Sequence, residues 1–270
     1  MKKVKNLIAF VLITGLAISC GDSNKKETNE EQFPDDIESF VEEEFDYPIP
    51  TSYEVTNMLQ KANANFVYNI TNDPGNVENY VAEWQKAMNL GVYGADLSYA
   101  STYNKQEETL EFLQSARTLV EDLNITTAFT PSMIDRMERN LENKDSLILI
   151  VTESIYETYN YLNKNGEEKT SLLVIAGSVI EGLYITSELI ISSEYNEDLL
   201  KVMANQKDEI DRLVELMDAH AEDENVNRVL PTLRYIDLFF DQLGDTDTIT
   251  RGQFEDIYGS IKDMRATIVS

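Results

Sequence analysis

The sequence predicts an all-α fold, a single elaborated antiparallel bundle of about eight helices over residues 47–270. Three observations predict it. Beyond Pro50 apolar residues recur at three- and four-residue spacing, with no convincing alternation of the kind a half-buried strand shows. The breaks in that pattern carry helix-start and helix-stop chemistry rather than hairpin turns. Finally, about 220 residues with short connections suffice for one sizeable core between antiparallel neighbours.

In chain order, Thr51 with Glu54 forms a capping box that satisfies free amides at a helix start, and this first helix is expected to reach about Tyr68. Asn72-Asp73-Pro74-Gly75 reads as a turn. A second helix is expected from about Val77 to Ala100 and a third from about Lys105 to Leu123. Thr130 is a good cap ahead of Pro131, whose missing amide proton costs nothing at the first helical position. The helix it opens is expected to kink near Asn143 to Asp145, reach Asn163 and stop at Asn165-Gly166. Further helices are expected from about Glu168 to Ile191, Asn196 to His220, and Asn225 to Leu243 with Pro231 inside, with a last one after Thr250.

Gly91, Gly94, Gly177 and Gly182 fall inside these helices, where each costs up to about 1 kcal/mol relative to alanine. Close helix contact is the expected reason. The two glycine-containing segments align at an offset of 85, Asp96 with Glu181 and Tyr99 with Tyr184, as an internal duplication would leave them.

Ahead of the bundle the chain carries an address. Lys2, Lys3 and Lys5 precede an uncharged run from Leu7 to Ile18, which reads as a signal peptide over residues 1–19. That run is shorter than the roughly 20 residues a permanent spanning helix needs. Leu16-Ala17-Ile18-Ser19-Cys20 looks like a bacterial lipobox, in which the cysteine becomes the new N-terminus and is acylated, palmitate-type chains included. Cys20 is the chain's single cysteine, so no intramolecular disulfide competes for it. Several acyl chains, at about 0.8 kcal/mol per buried methylene, hold stably where one would be marginal. Gly21 stands where an aspartate would favour inner-membrane retention, so the outer membrane is favoured, and the periplasmic and surface-facing sides both stay open.

Charge narrows the partners. With 22 basic and 49 acidic residues the net charge is -27, and losing three lysines with the signal peptide takes it to -30. Nucleic acid is excluded as a natural partner, because binding polyphosphate relies on basic side chains. Residues 20–46 hold the acylated cysteine and, from Gly21 to Asp46, eleven acidic residues against Lys25 and Lys26, the composition of a solvated linker. Within it Ile37, Phe40, Val41 and Phe45 suggest a short amphipathic helix that either docks on the body or binds a partner.

Catalytic chemistry finds little footing. His220 is the single histidine, so zinc and di-iron sites that need two are excluded, and no nucleophile elbow, phosphate loop or dinucleotide fingerprint occurs. No metal or cofactor is expected. Asp245-Thr246-Asp247 invites comparison with a calcium loop, but starting there puts Thr250 where the loop glycine belongs. A turn followed by a Thr250 to Gln253 capping box fits better.

The most suggestive residues are lone carboxylates in apolar helices. Glu153 shares its stripe with Asp135, Arg139, Glu142 and Glu157 and reads as a solvated face. Asp96 is the one formal charge between Lys86 and Lys105, and Glu181 the one between Lys169 and Glu188. The stripe of Asp96 holds Glu78, Gln85, Asn89 and Tyr103, and that of Glu181 holds Thr170, Ser178 and Glu188, so both are expected to face water or to serve structure. On that reading their isosteric replacements stay additive and within the roughly 0.5 kcal/mol of surface changes. The alternative is a ligand-facing set of Tyr93, Asp96, Tyr99, Glu181 and Tyr184.

The segments Leu90-Gly91-Val92-Tyr93-Gly94-Ala95-Asp96-Leu97-Ser98-Tyr99, Asn143-Lys144-Asp145-Ser146-Leu147 and Ile180-Glu181-Gly182-Leu183-Tyr184 resemble a family of uncharacterised all-helical bacterial envelope lipoproteins. The resemblance covers most of the mature chain and implies the address and the helical fold, with no activity or site attached. The expectation is therefore a membrane-anchored envelope lipoprotein whose helical body binds a protein or a small ligand. A hydrolase or other enzyme with an unfamiliar carboxylate site is the alternative.

Overall fold

The computed structural model describes residues 58–125, 130–243 and 246–270. The signal peptide, Cys20, the acidic linker, the Ile37 to Phe45 helix, the Thr51 to Glu54 capping box and Asp245 lie outside the described residues. Among the described residues the chain forms nine α-helices and no strand, an all-α bundle. They are α1 (Glu83–Thr102), α2 (Gln106–Asp122), α3 (Pro131–Arg139), α4 (Lys144–Lys164), α5 (Glu168–Ser192), α6 (Glu197–Ala204), α7 (Lys207–Asp218), α8 (Glu224–Leu243) and α9 (Arg251–Val269). Residues 58–61 are also helical, and a short 3-10 helix, Pro74–Asn79, precedes α1.

Helix α5 organises the rest. Its side chains are apolar nearly all round, and a helix of that kind is stable only when enclosed. It packs against α1, α4, α6, α7, α8 and α9. It is the one described helix long and apolar enough to cross a membrane, with mean hydropathy 1.6, and 61% of that stretch is buried within the fold. Its most extensive partner is α1, which also packs on α2, α4 and α9.

The α1–α5 crossing explains two of the four helical glycines. A Cβ on Gly91 would sit 1.9 Å from the Val174 carbonyl oxygen, and one on Gly177 would sit 1.9 Å from the Met88 carbonyl oxygen. The two backbones therefore touch, each glycine fitting against the other helix one turn before its own glycine. Gly94 and Gly182 have no such neighbour within 4 Å, so close contact does not account for them. The two glycine-containing segments thus lie on the two helices that meet at the centre.

Local chemistry sets the boundaries. Thr130 accepts from Met133 N–H, Asn143 from Ser146 N–H, and Asn196 from Asp198 and Leu199 N–H, each satisfying an orphan amide at a helix start. Thr250 and Gln253 close the expected capping box on α9. Helix α4 ends where Gly166 takes a positive φ of 78°.

Four expected boundaries differ. The expected kink near Asn143 is a full break, because Asn143 is an N-cap. The helix expected from Asn196 to His220 divides at Asn205–Gln206, where the buried Gln206 donates to the Val202 carbonyl. The helix expected to reach Tyr68 ends near Lys61, and the next begins at Glu83 rather than Val77. Asn63 and Asn69 take positive φ, and tyrosines from α1 and its C-cap hold the intervening backbone. Tyr99 accepts from Val67 N–H at 2.8 Å, and Tyr103 donates to the Ala64 carbonyl at 2.9 Å. Tertiary hydrogen bonds override helix propensity there.

Candidate functional site

The two lone carboxylates meet. Asp96 on α1 and Glu181 on α5 lie a little over one turn beyond the touching glycines, both 0% exposed, and they share a side-chain hydrogen bond. The water-facing reading of their stripes is overturned. Asp96, with Asn89, lies in an internal polar seam covered by the 62–82 segment and α9.

Arg265 of α9 completes the cluster. Its Nε and Nη2 donate to the two carboxylate oxygens of Glu181 at 3.0 and 3.1 Å, a bidentate pair in which the arginine side chain is 14% exposed. Nη2 also donates to the Ile70 carbonyl at 3.4 Å, and the guanidinium lies 4.6 Å from the centre of the Tyr184 ring. Asp96 has a poorer set: Oδ2 accepts from Asn72 N–H at 3.0 Å, while Oδ1 has no N–H donor.

Those partners decide where the proton sits. Two ionised carboxylates and one guanidinium would leave a buried net charge of minus one. Burial and the charge of Glu181 push the Asp96 carboxyl well above the ordinary carboxylate range, against the smaller pull of Asn72 and Arg265. Burial raises Glu181 as well, but the Arg265 charge, its two hydrogen bonds and the bond from Asp96 all favour the ionised form. Asp96 is therefore the neutral acid, donating to a Glu181 carboxylate held by Arg265, and the cluster is neutral. The Glu181 carboxylate in turn keeps the buried Arg265 protonated, overcoming the burial that opposes its charge.

Around this core the polar groups bind one another. Asn72 donates through Nδ2 to the Tyr80 hydroxyl at 2.9 Å and to Asn89 Oδ1 at 3.3 Å, and Asn89 donates to the Ile268 carbonyl at 2.8 Å. Of the other expected ligand-facing residues, Tyr93 donates to the Asp73 carbonyl at 2.9 Å, and Tyr99 stacks on Phe66 at 4.9 Å. Tyr184 flanks Arg265, its ring centre 4.6 Å from the guanidinium. Burial raises the Tyr93, Tyr99 and Tyr184 phenols, so they act as neutral hydrogen-bonding groups. Glu153 pairs at the surface with Arg136 at 2.8 Å.

A second feature lies on the other side of the α1–α5 crossing. Leu90 and Leu97 of α1, Leu113 and Val120 of α2, Val151 of α4 and Ile175 of α5 line an apolar cavity of about 50 Å³. Gly94 forms part of its wall and contributes no side chain to fill it. Ile155, Tyr159, Val174 and Ser178, all partly exposed, mark its mouth.

The sequence reading missed Arg265, Asn72, Asn89 and the cavity. Arg265 left a trace: it falls in the buried stripe of Phe254, Ile257, Ile261 and Ile268, the one cation among them. No family model, curated protein or solved structure matches this chain.

Proposed function

We propose that this chain is an envelope lipoprotein, held through an acylated Cys20 to a membrane, the outer membrane by preference. Its helical body is a non-enzymatic binding module for an envelope protein or small ligand. The observation that carries the binding half is the apolar cavity between α1, α2, α4 and α5, since close-packed interiors keep few voids wider than a water molecule. The anchor is supported by the basic start, short apolar run and single cysteine of the sequence, and agrees with the resemblance to helical envelope lipoproteins. The carboxyl cluster, the best residues an enzyme would have here, is enclosed, and its groups bond to one another and to backbone, which supports a bracing role.

Metabolic labelling with an alkyne fatty acid tests the anchor. Cys20→Ala is expected to abolish the label and leave the longer, unprocessed chain, because Cys20 is both acyl acceptor and cleavage-site residue. Undiminished labelling of the variant overturns the assignment.

A further inference from the structure

We infer that the cavity between α1, α2, α4 and α5 is a site for a slender, uncharged aliphatic molecule carrying one hydroxyl or carbonyl group, the class of fatty alcohols and aliphatic esters. This rests on reading the helical body as a binding module, and it names the chemistry of what the module takes.

Size selects a chain over a ring system. At about 50 Å³ the cavity exceeds the roughly 10–15 Å³ that holds one water and falls far below the roughly 300–1,000 Å³ of drug-sized sites. A hydrocarbon chain end can enter such a space. The walls are apolar, and among the described residues lining it there is no Asp, Glu, Lys, Arg or His. A carboxylate buried there would meet no cation, on a chain already strongly acidic, so the ligand is uncharged.

One group points to a polar atom on that ligand. Among the cavity hydroxyls, Ser154 donates to the Val151 carbonyl and Thr158 to the Ser154 carbonyl, both at 2.7 Å. Ser171, 1% exposed, has an Oγ with no hydrogen-bond partner. A buried hydroxyl without a partner is costly, and a ligand hydroxyl or carbonyl would relieve it. The missing side chain at Gly94 completes the picture: a helical glycine without close contacts carries the helix penalty and leaves space open in the wall.

The test uses the full lipidated chain in its native membranes. A photoreactive n-alkanol with a diazirine in its chain is cross-linked, the matching alkanoate serves as the charged probe, and n-octanol competes. Mass spectrometry is expected to find saturable alkanol labelling on α2 and α4, with the alkanoate labelling about tenfold less or weaker still. Gly94→Leu, which fills the cavity, is expected to remove that labelling while protease resistance of the body is kept. Gly94→Ala reports the same direction with a smaller insertion. Ser171→Ala is expected to weaken competition by n-octanol roughly 2- to 10-fold.

Equal, Gly94-sensitive labelling by alkanoate and alkanol overturns the uncharged class and leaves the binding module standing. Unchanged competition in Ser171→Ala overturns the polar contact. Labelling indifferent to both Gly94 variants overturns the site, and with it the binding reading.

Discussion

Gly177→Ala is expected to cost on the order of 3 kcal/mol or more, from the addition of a single methyl group. That methyl would lie 1.9 Å from the Met88 carbonyl oxygen, and both the glycine and its neighbour are backbone in the middle of long helices. Overpacking costs about 1–3 kcal/mol when side chains can yield, and here two helices have to part instead. Gly91→Ala, 1.9 Å from the Val174 carbonyl, is expected to behave alike. Gly182→Ala supplies the contrast on α5 itself: with nothing within 4 Å it is expected to be neutral or stabilising by up to about 1 kcal/mol. Denaturant unfolding of the three variants checks this. Similar stabilities for all three would remove the glycine crossing as the centre of the fold.

The second large effect separates two carboxyls that look equivalent in the sequence. Glu181→Gln keeps the shape and removes the charge that Arg265 binds through two hydrogen bonds. The buried guanidinium loses its carboxylate, and the expected loss is about 3–5 kcal/mol, the usual cost of deleting one partner of a buried pair. Asp96→Asn is expected to go the other way. Its amide can donate to Glu181 as the protonated acid does, and its oxygen can still accept from Asn72 N–H.

The pH dependence follows from the raised Asp96. The unfolded chain releases this proton near pH 3.9, while the folded chain keeps it. Above that point the folded state binds more protons, and this group's stabilising contribution falls as pH rises toward its folded value. Asparagine has no proton to lose. The advantage of Asp96→Asn over the wild type is therefore expected to be small in acid and to grow from about pH 4 to neutrality, beyond the roughly 0.5 kcal/mol of surface changes. Denaturant midpoints of both variants across that range provide the measurement, with opposite signs expected at neutral pH.

Much of the fold was legible because caps and periodicity are local. Thr130, Asn196 and Thr250 open helices as their chemistry requires, and α5 was visible as one long apolar run. The missed boundaries are those set by distant partners. Nothing within residues 62–82 says that Tyr99 and Tyr103 will take its backbone groups. The site failed for a related reason. A polar stripe on a helical wheel looks the same whether it meets water or another protein segment, and Asp96 meets Asn72 and Glu181. What the sequence did carry was isolation: each carboxylate is the one charge in a long apolar stretch, and so is Arg265 in the buried stripe of α9. Three such residues on three helices are the ingredients of a buried neutral cluster. Their convergence needed the Gly91 and Gly177 crossing, which brings α1 and α5 into backbone contact.

The proton on Asp96 is directly observable by infrared spectroscopy of the folded chain in heavy water at neutral pH. A C=O stretch of a protonated carboxyl group is expected in the wild type and absent from Asp96→Asn. A wild-type spectrum at neutral pH with ionised carboxylate bands alone would contradict the neutral cluster on which α1, α5 and α9 converge.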